Sequence, residues 1–398
     1  MQTAQAKATT TPINSQVIVQ RARDMVPVLK QRSAQAIEQR MLPAETIADM
    51  KAAGFFDVLK PKAYGGYEMD PQVFYDVAMT LAEGCMSTAW VYGVVGVHNW
   101  QMALFDPRAA EDVWGQDTSV LIASTYMPKG QVTPVEGGFK FSGRWGFSSG
   151  IDHCDWVLLG GLIFNQGQPP EYRTFLVPKS DYKVIDTWHT MGLKGTGSKD
   201  IVVEDAFVPE YRTHKASDGF AGTNPGGSTF TADLYKLPFG QIFVRAVSSA
   251  AIGGLQGALD TFIDFAKVRV GDMGNKTSEQ GPAQIAAAET AMAIDEMKLV
   301  LHRNFGVLMD KVRNKQPLDL NQRLLFRAQA AQVVDRSAKH AYQLFSACGG
   351  RGIFTDFDLH RYVFDIFAAR GHYANNPDQF ERNFGGVMLG RDNTDYFL

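Results

Sequence analysis

The spacing of apolar positions changes period twice along this chain. From residue 12 to about 115 it is helical: NSQVIVQRARDMVPVLKQRSAQAIEQR is charged and amphipathic, and PAETIADMKAAGFF places Pro43 at a helix start. From about 120 to 212 it turns strand-like. Phe139 and Phe141 alternate after the turn EGG, and DWVLLGGLIF, TFLVPKSDYKVI and DIVVEDAFVP follow. After ASDGFAGTNPGGSTF, which reads as a loop, helical periodicity returns. Leu259, Phe262, Ile263 and Ala266 form one stripe, and Val334, Ala338, Ala341 and Phe345 form another. Both stripes read most simply as core. The pattern predicts a mainly α protein with a central β-domain: an N-terminal α-helical domain at 1–118, a middle β-domain at 119–213 and a C-terminal helical domain at 214–398.

Composition narrows the partners. The 398 residues are 45% hydrophobic, enough for a large buried core. With 39 basic and 42 acidic residues the net charge is −3, so no overall field draws nucleic acid or an anionic membrane. The N-terminal stretch MQTAQAKATTTPINSQ lacks the apolar core of a secretory signal, and no stretch reads as a membrane span, so a cytoplasmic location is expected. Cys85, Cys154 and Cys348 have no CxxC spacing and read as buried free thiols. A metal site at Asp152, His153, Cys154 and Asp155 is not expected, because adjacent strand residues point to opposite faces.

Several longer stretches resemble acyl-CoA dehydrogenases. AAGFFDVLKPKAYGGYEMD followed by MTLAEGCMSTAWVYG is similar to their N-terminal helices. TFLVPKSDYKVIDTWHTMGLKGTGSKDIVVEDAFVP resembles their β-domain, and ACGGRGIFTDFDLHRYVFD their "GGxG, then LxRxxRD" segment, with Phe364 replacing the second Arg. The resemblance implies an N-terminal helical domain, a β-barrel-like middle domain and a C-terminal four-helix bundle, assembled as a homotetramer with flavin between them. The family's catalytic Glu is missing. The corresponding stretch AARGHYANNPDQ has no carboxylate before Asp378, and His372 stands there instead.

SSGIDHCDW together with GHYANNP resembles the two-component flavin monooxygenases built on this fold, among them hydroxylases of p-hydroxyphenylacetate and of a seco-steroid phenol. That resemblance implies reduced FMN or FADH2 and O2 as co-substrate, with no metal. It also implies a separate NAD(P)H:flavin reductase, since the chain has no dinucleotide fingerprint of its own. On the same resemblance oxygen would be carried as a C4a-hydroperoxide and inserted ortho to a phenol hydroxyl. Ser149 would then face the flavin N5, Phe147 would pack on the isoalloxazine, and backbone from Phe147 through Ser148 to Ser149 would meet its pyrimidine edge. Phe147 taken alone reads more readily as an ordinary core aromatic, and Trp90 as either flavin-lining or core.

His372 is the expected base for the phenol proton and also borders the flavin. Taken alone it reads as a solvent-facing loop histidine. His98 and Ser124 match substrate-side positions, with Ser124 also near the cofactor. Arg269 falls where the family binds a flavin phosphate held mainly by a neighbouring subunit, and Asp272-Met273 departs from the family there in a way that favours FMN. Gly349 and Gly350 allow close backbone approach to the cofactor, with Arg351 beside them. His153 reads as structural. Three other functions compete: a monooxygenase on indole, sulfur or an amino-sugar nitrogen, an acyl-CoA dehydrogenase, and a helical binding protein without catalysis.

Overall fold

The computed structural model describes residues 13–164, 167–271 and 274–398. Its first helix, α1 (Ser15–Gln39), starts at Asn14, whose side-chain oxygen accepts a hydrogen bond from the Val17 amide at 3.0 Å. Ile18, Ala22, Met25, Leu29 and Ala36 line its buried face at helical spacing. Pro43 stands one residue ahead of α2 (Ala44–Ala52), and its carbonyl accepts the Thr46 amide at 3.0 Å. Helices α3 (Pro71–Gly84) and α4 (Met86–Gln101) form the middle of this layer, and α5 (Pro107–Trp114) ends it. Every residue of α4 is buried, so it has no solvent face.

Among the described residues, seven strands follow in one sheet: β1 (Ile122–Val135), β2 (Gly138–Ser148), β3 (Trp156–Ile163), β4 (Glu171–Pro178), β5 (Tyr182–Ile185), β6 (Lys199–Pro209) and β7 (Thr213–Lys215). Their order is β5-β6-β2-β1-β3-β4-β7; β1 pairs with β3 in parallel and the other neighbouring pairs are antiparallel among the described residues. The alternation read in β2 is present: Phe139 and Phe141 are buried, and Phe141 stacks on Phe175 with ring centroids 4.3 Å apart.

The stretch 216–230, expected as a loop, contains a short helix, α6 (Ala216–Ala221), which ends at Gly222 in the left-handed region. Then come α7 (Phe239–Ala246), α8 (Ser249–Val268), α9 (Gly281–Arg313), α10 (Leu320–Ala347), α11 (Leu359–Arg370) and α12 (Pro377–Met388). Helices α8 to α11 pack together, and α8 also lies along α3. Leu259, Phe262, Ala266, Val334, Ala338 and Ala341 are buried, with Ile263 and Phe345 packed against the same core. The stretch Phe239–Val268 is long and apolar enough to cross a membrane, which the sequence reading did not anticipate. Its most apolar window is 89% buried, and it serves as core. All three cysteines are buried and free.

The contact between α8 and α3 is closest at Gly253, where an added Cβ would lie 1.8 Å from the Met79 carbonyl oxygen. Backbone blocks that position, so a side chain fits only by moving a helix. Gly253→Ala should lower stability by about 1–3 kcal/mol or more, read as a fall in the urea midpoint. Gly385→Ala in α12, where nothing lies within 4 Å of the added carbon, should leave the midpoint unchanged or raise it.

Candidate active site

The turn that ends β2 is strained in a way that displays one ring. Phe147 has φ +65°, a region bulky residues rarely adopt. It is held there because Ser148 pairs with Lys199 on β6, while the Gly150 amide donates to the Thr196 carbonyl at 2.8 Å. Phe147 is consequently 68% exposed, with its ring in a T-shaped contact with Trp188 at 5.9 Å between centroids. Ser148 and Ser149 point inward and are buried.

Ser149 Oγ accepts from Trp90 Nε1 on α4 at 3.2 Å and lies 2.7 Å from Ser198 Oγ. Ser198 Oγ lies 2.6 Å from Thr196 Oγ1, which donates to the Leu193 carbonyl at 2.8 Å. Leu193, at φ +51°, is fixed by its amide, which donates to Asp365 Oδ1 on α11 at 2.6 Å. Burial raises that carboxyl to about 6, against the downward pull of the Leu193 hydrogen bond.

From Trp90 a row of rings continues inward. His372 lies edge-on to Trp90 at 5.8 Å, Phe243 is 6.3 Å from His372, Tyr126 is 4.9 Å from Phe243, and His98 is 6.0 Å from Tyr126. The structure thus brings Ser149, Trp90, His372 and His98 onto one wall. Ser124, on β1, lies close enough to the Tyr126 hydroxyl to oppose the rise that burial imposes on that phenol. Beyond Tyr126, the C-terminal residues Tyr396 to Leu398 line a small separate cavity together with Gln101 and Tyr126, about 20 Å³ in volume, room for one water molecule.

The two histidines on this wall have opposite hydrogen-bonding character. His372 Nδ1 accepts the Ala374 amide at 3.1 Å, so in the neutral ring the proton sits on Nε2. The base expected at His372 does not suit this tautomer, because the free nitrogen is already protonated. At His98, Tyr126 donates its proton to Gln101 Oε1 at 2.5 Å, and Nδ1 faces that same oxygen at 3.1 Å. Nδ1 therefore carries the proton, leaving Nε2 as a lone pair that is buried without a partner. Burial pulls His98 down to about 3, against a smaller upward pull from the Gln101 hydrogen bond. Burial, and secondarily the Arg327 charge, pull His372 down to about 4. Both rings are neutral at pH 7.

The His372 loop is itself pinned. Arg327 donates to the Ala374 carbonyl at 2.9 Å, and Asn375 Nδ2 donates to the carbonyls of Val247 and Ala369, each at 2.9 Å. Among the described residues, Arg269 and the segment Gly349 to Arg351 make no hydrogen bond or ring contact with this wall. Arg269 is exposed at the end of α8, Gly349 has φ +59°, and Arg351 pairs with exposed Asp356 at 2.8 Å. Asp272 and Met273 lie outside the described residues. Reading the sequence missed Tyr126, Gln101, Thr196, Ser198, Asp365 and Arg327. Of these, Thr196, Ser198 and Asp365 lie within stretches already noted for family resemblance, but nothing in their spacing marked them out.

A planar ring system with a hydrogen-bonding edge fits the Phe147 turn on three counts. It would cover an exposed aromatic face, give Ser148 Oγ the partner it lacks, and meet a remaining lone pair on Ser149 Oγ. The chain matches the acyl-CoA dehydrogenase N-terminal domain over residues 15–105 and the acyl-CoA dehydrogenase C-terminal domain over residues 246–377. It is 35% identical to the flavin-dependent monooxygenase, oxygenase subunit HsaA, of Rhodococcus jostii, over 95% of this chain and 99% of that one. It is 29% identical to the oxygenase component of an FADH2-dependent resorcinol hydroxylase from Rhizobium sp., over 94% of each. The crystal structure of the 3-HSA hydroxylase from Rhodococcus sp. RHA1 superposes with a TM-score of 0.92 at 34% identity, covering 96% of this chain and 99% of that one. The chain belongs to the flavin-dependent monooxygenase oxygenase subunits that are built on the acyl-CoA dehydrogenase fold.

Proposed function

We propose that this protein hydroxylates a phenolic substrate ortho to its hydroxyl, using O2 and a reduced flavin bound at the Phe147–Ser149 turn. A separate NAD(P)H:flavin reductase supplies that flavin. The carrying observation is the pair of neutral histidines of opposite character on the wall that starts at Ser149. Bound reduced flavin supplies the electrons that activate O2. The protein's own groups hold the substrate: His98 Nε2 accepts the phenol O–H, Ser124 stands beside it, and His372 Nε2–H donates across the wall. An O–H drawn onto His98 makes the ring more electron-rich and directs attack to the adjacent carbon.

Exposed Arg269 suits a flavin phosphate shared between subunits. Ile285, Met292 and Leu299, seven residues apart on α9 and 59%, 58% and 62% exposed, support burial of that face in a homotetramer. Three buried free thiols support a cytoplasmic location. A sulfur substrate is disfavoured because it brings no N–H or O–H to His98 Nε2. The test is to mix the protein anaerobically with reduced FMN or FAD, admit oxygen with a panel of phenols, and identify products by mass spectrometry. Release of hydrogen peroxide alone with every phenol would defeat the proposal.

The roles of the two histidines separate by pH. His98→Ala should lose roughly 10²–10⁴-fold in product formation at neutral pH. It should recover as pH rises toward the phenol's own pKa of about 10, where the substrate arrives ionised. His372→Ala should also lose activity but without that recovery, since an ionised phenol does not replace a donor. Rate profiles from pH 6 to 10 check both.

The depressed histidines also set an acid limit on stability. Unfolded, each takes up a proton near 6.5; folded, His372 does so only near 4. Between these values the unfolded chain binds more protons, so stability falls as pH drops from about 6.5 to about 4. The His372 share is roughly 3–4 kcal/mol at most. Thermal midpoints across that range should fall less steeply for His372→Gln than for the unaltered protein.

A further inference from the structure

The hydroxyl chain behind Ser149 has a direction, and the direction is determined by its ends. Trp90 Nε1–H can only donate, and the Leu193 carbonyl can only accept. Between them lie three hydroxyls with one proton each, so four links share four protons. Thr196 donates to Leu193. Its proton is then used, so Ser198 must donate to Thr196, and by the same count Ser149 must donate to Ser198. The Trp90 proton fills the remaining link.

All four residues are buried, with exposures of 5% for Trp90, 7% for Ser149, 1% for Thr196 and 3% for Ser198. Reversing any one link would leave a buried group unpaired, a cost above that of an ordinary hydrogen bond. The acceptor end is doubly anchored. Leu193 O also receives Trp188 Nε1 at 3.0 Å, and Leu193 N is held by Asp365.

Ser149 Oγ therefore has no proton to offer a ligand. One lone pair is engaged by Trp90, its proton is committed to Ser198, and what remains is an acceptor. The N5 position of a flavin is an acceptor when the ring is oxidised and a donor, N5–H, when it is reduced. We propose that Ser198 and Thr196 are specificity-determining residues that select reduced over oxidised flavin, by holding the Ser149 hydroxyl as an acceptor. This rests on the flavin reading given above and adds to it the cause of redox-state preference. Ser198 and Thr196 are positioning residues: they act on the cofactor through Ser149.

The test measures dissociation constants for oxidised and reduced FMN, the latter anaerobically, in the unaltered protein and in Ser198→Ala and Thr196→Val. Removing either hydroxyl frees the Ser149 link to reverse and present its proton to the ligand. The ratio of oxidised to reduced dissociation constants should fall about threefold to tenfold in both variants. In 15N-labelled oxidised FMN bound to either variant, the N5 resonance should move upfield relative to the unaltered complex, because N5 there accepts a hydrogen bond. Ser149→Ala should lose the discrimination without that shift. A protein that prefers reduced flavin, with variants that keep its ratio and its N5 resonance, would overturn the inference and leave the flavin site standing. Equal binding of both redox states by the unaltered protein would overturn it as well. Failure to bind either would overturn the site along with it. Should Ser198→Ala fail to fold, Thr196→Val carries the same test from the far side of the link.

Discussion

Complete burial of α4 is the constraint on which the site depends. A helix with no solvent face must find a partner inside the protein for every polar side chain it carries, or bear the desolvation cost. Asn99 donates to the Phe56 carbonyl at 2.6 Å, Trp100 Nε1 to the Leu234 carbonyl at 2.8 Å, and Trp90 Nε1 to Ser149. These bonds fix α4 to the N-terminal layer, to the segment leading into α7, and to the β2 turn. With the helix fixed in this way, Trp90 and His98 stand two turns apart, about 12 Å along the axis, facing the two ends of one wall. His98 Nε2 is among the few polar atoms on α4 left without a partner, a buried lone pair with an unmet hydrogen bond.

The same accounting explains why the β2 turn holds a strained Phe147. The Ser148 backbone, the Gly150 amide and the Ser149 hydroxyl are drawn inward by Lys199 and Thr196 from β6 and its leading loop and by Trp90 from α4. Turning these groups inward leaves the preceding ring facing out, at a positive φ. The strain at Phe147 is maintained by hydrogen bonds from three separate elements, and α11 adds a fourth through Asp365 and Leu193.

Apolar spacing made the architecture legible, because burial is a property each segment expresses locally. The stripes at 259–266 and 334–345 and the alternation at Phe139 and Phe141 needed no knowledge of their partners. Family resemblance then placed Ser149, Trp90, His98 and His372, which the structure gathers on one wall. Protons were not legible. Whether His372 Nε2 gives or takes depends on the Ala374 amide two residues away in a turn, and whether Ser149 gives or takes depends on Ser198, 49 residues distant. Tyr126 and Gln101 escaped notice for the same reason, since a tyrosine on a strand and a glutamine at a helix end become meaningful only when β1 is laid against α4.

The missing carboxylate takes on a physical meaning against this background. A carboxylate on the wall at residue 372 would be surrounded by the same groups that desolvate the imidazole, and it would have to remain charged to act as a base. Asp365, the buried acid nearby, is occupied in holding Leu193, and Asp378 is exposed at the start of α12. An imidazole in that environment becomes neutral, and a neutral ring can donate through one nitrogen while its other nitrogen is pinned by the backbone. Replacing the acid by histidine removes the capacity to abstract a proton from carbon and leaves a fixed donor opposite a fixed acceptor. That arrangement suits the orientation of a weakly acidic hydroxyl.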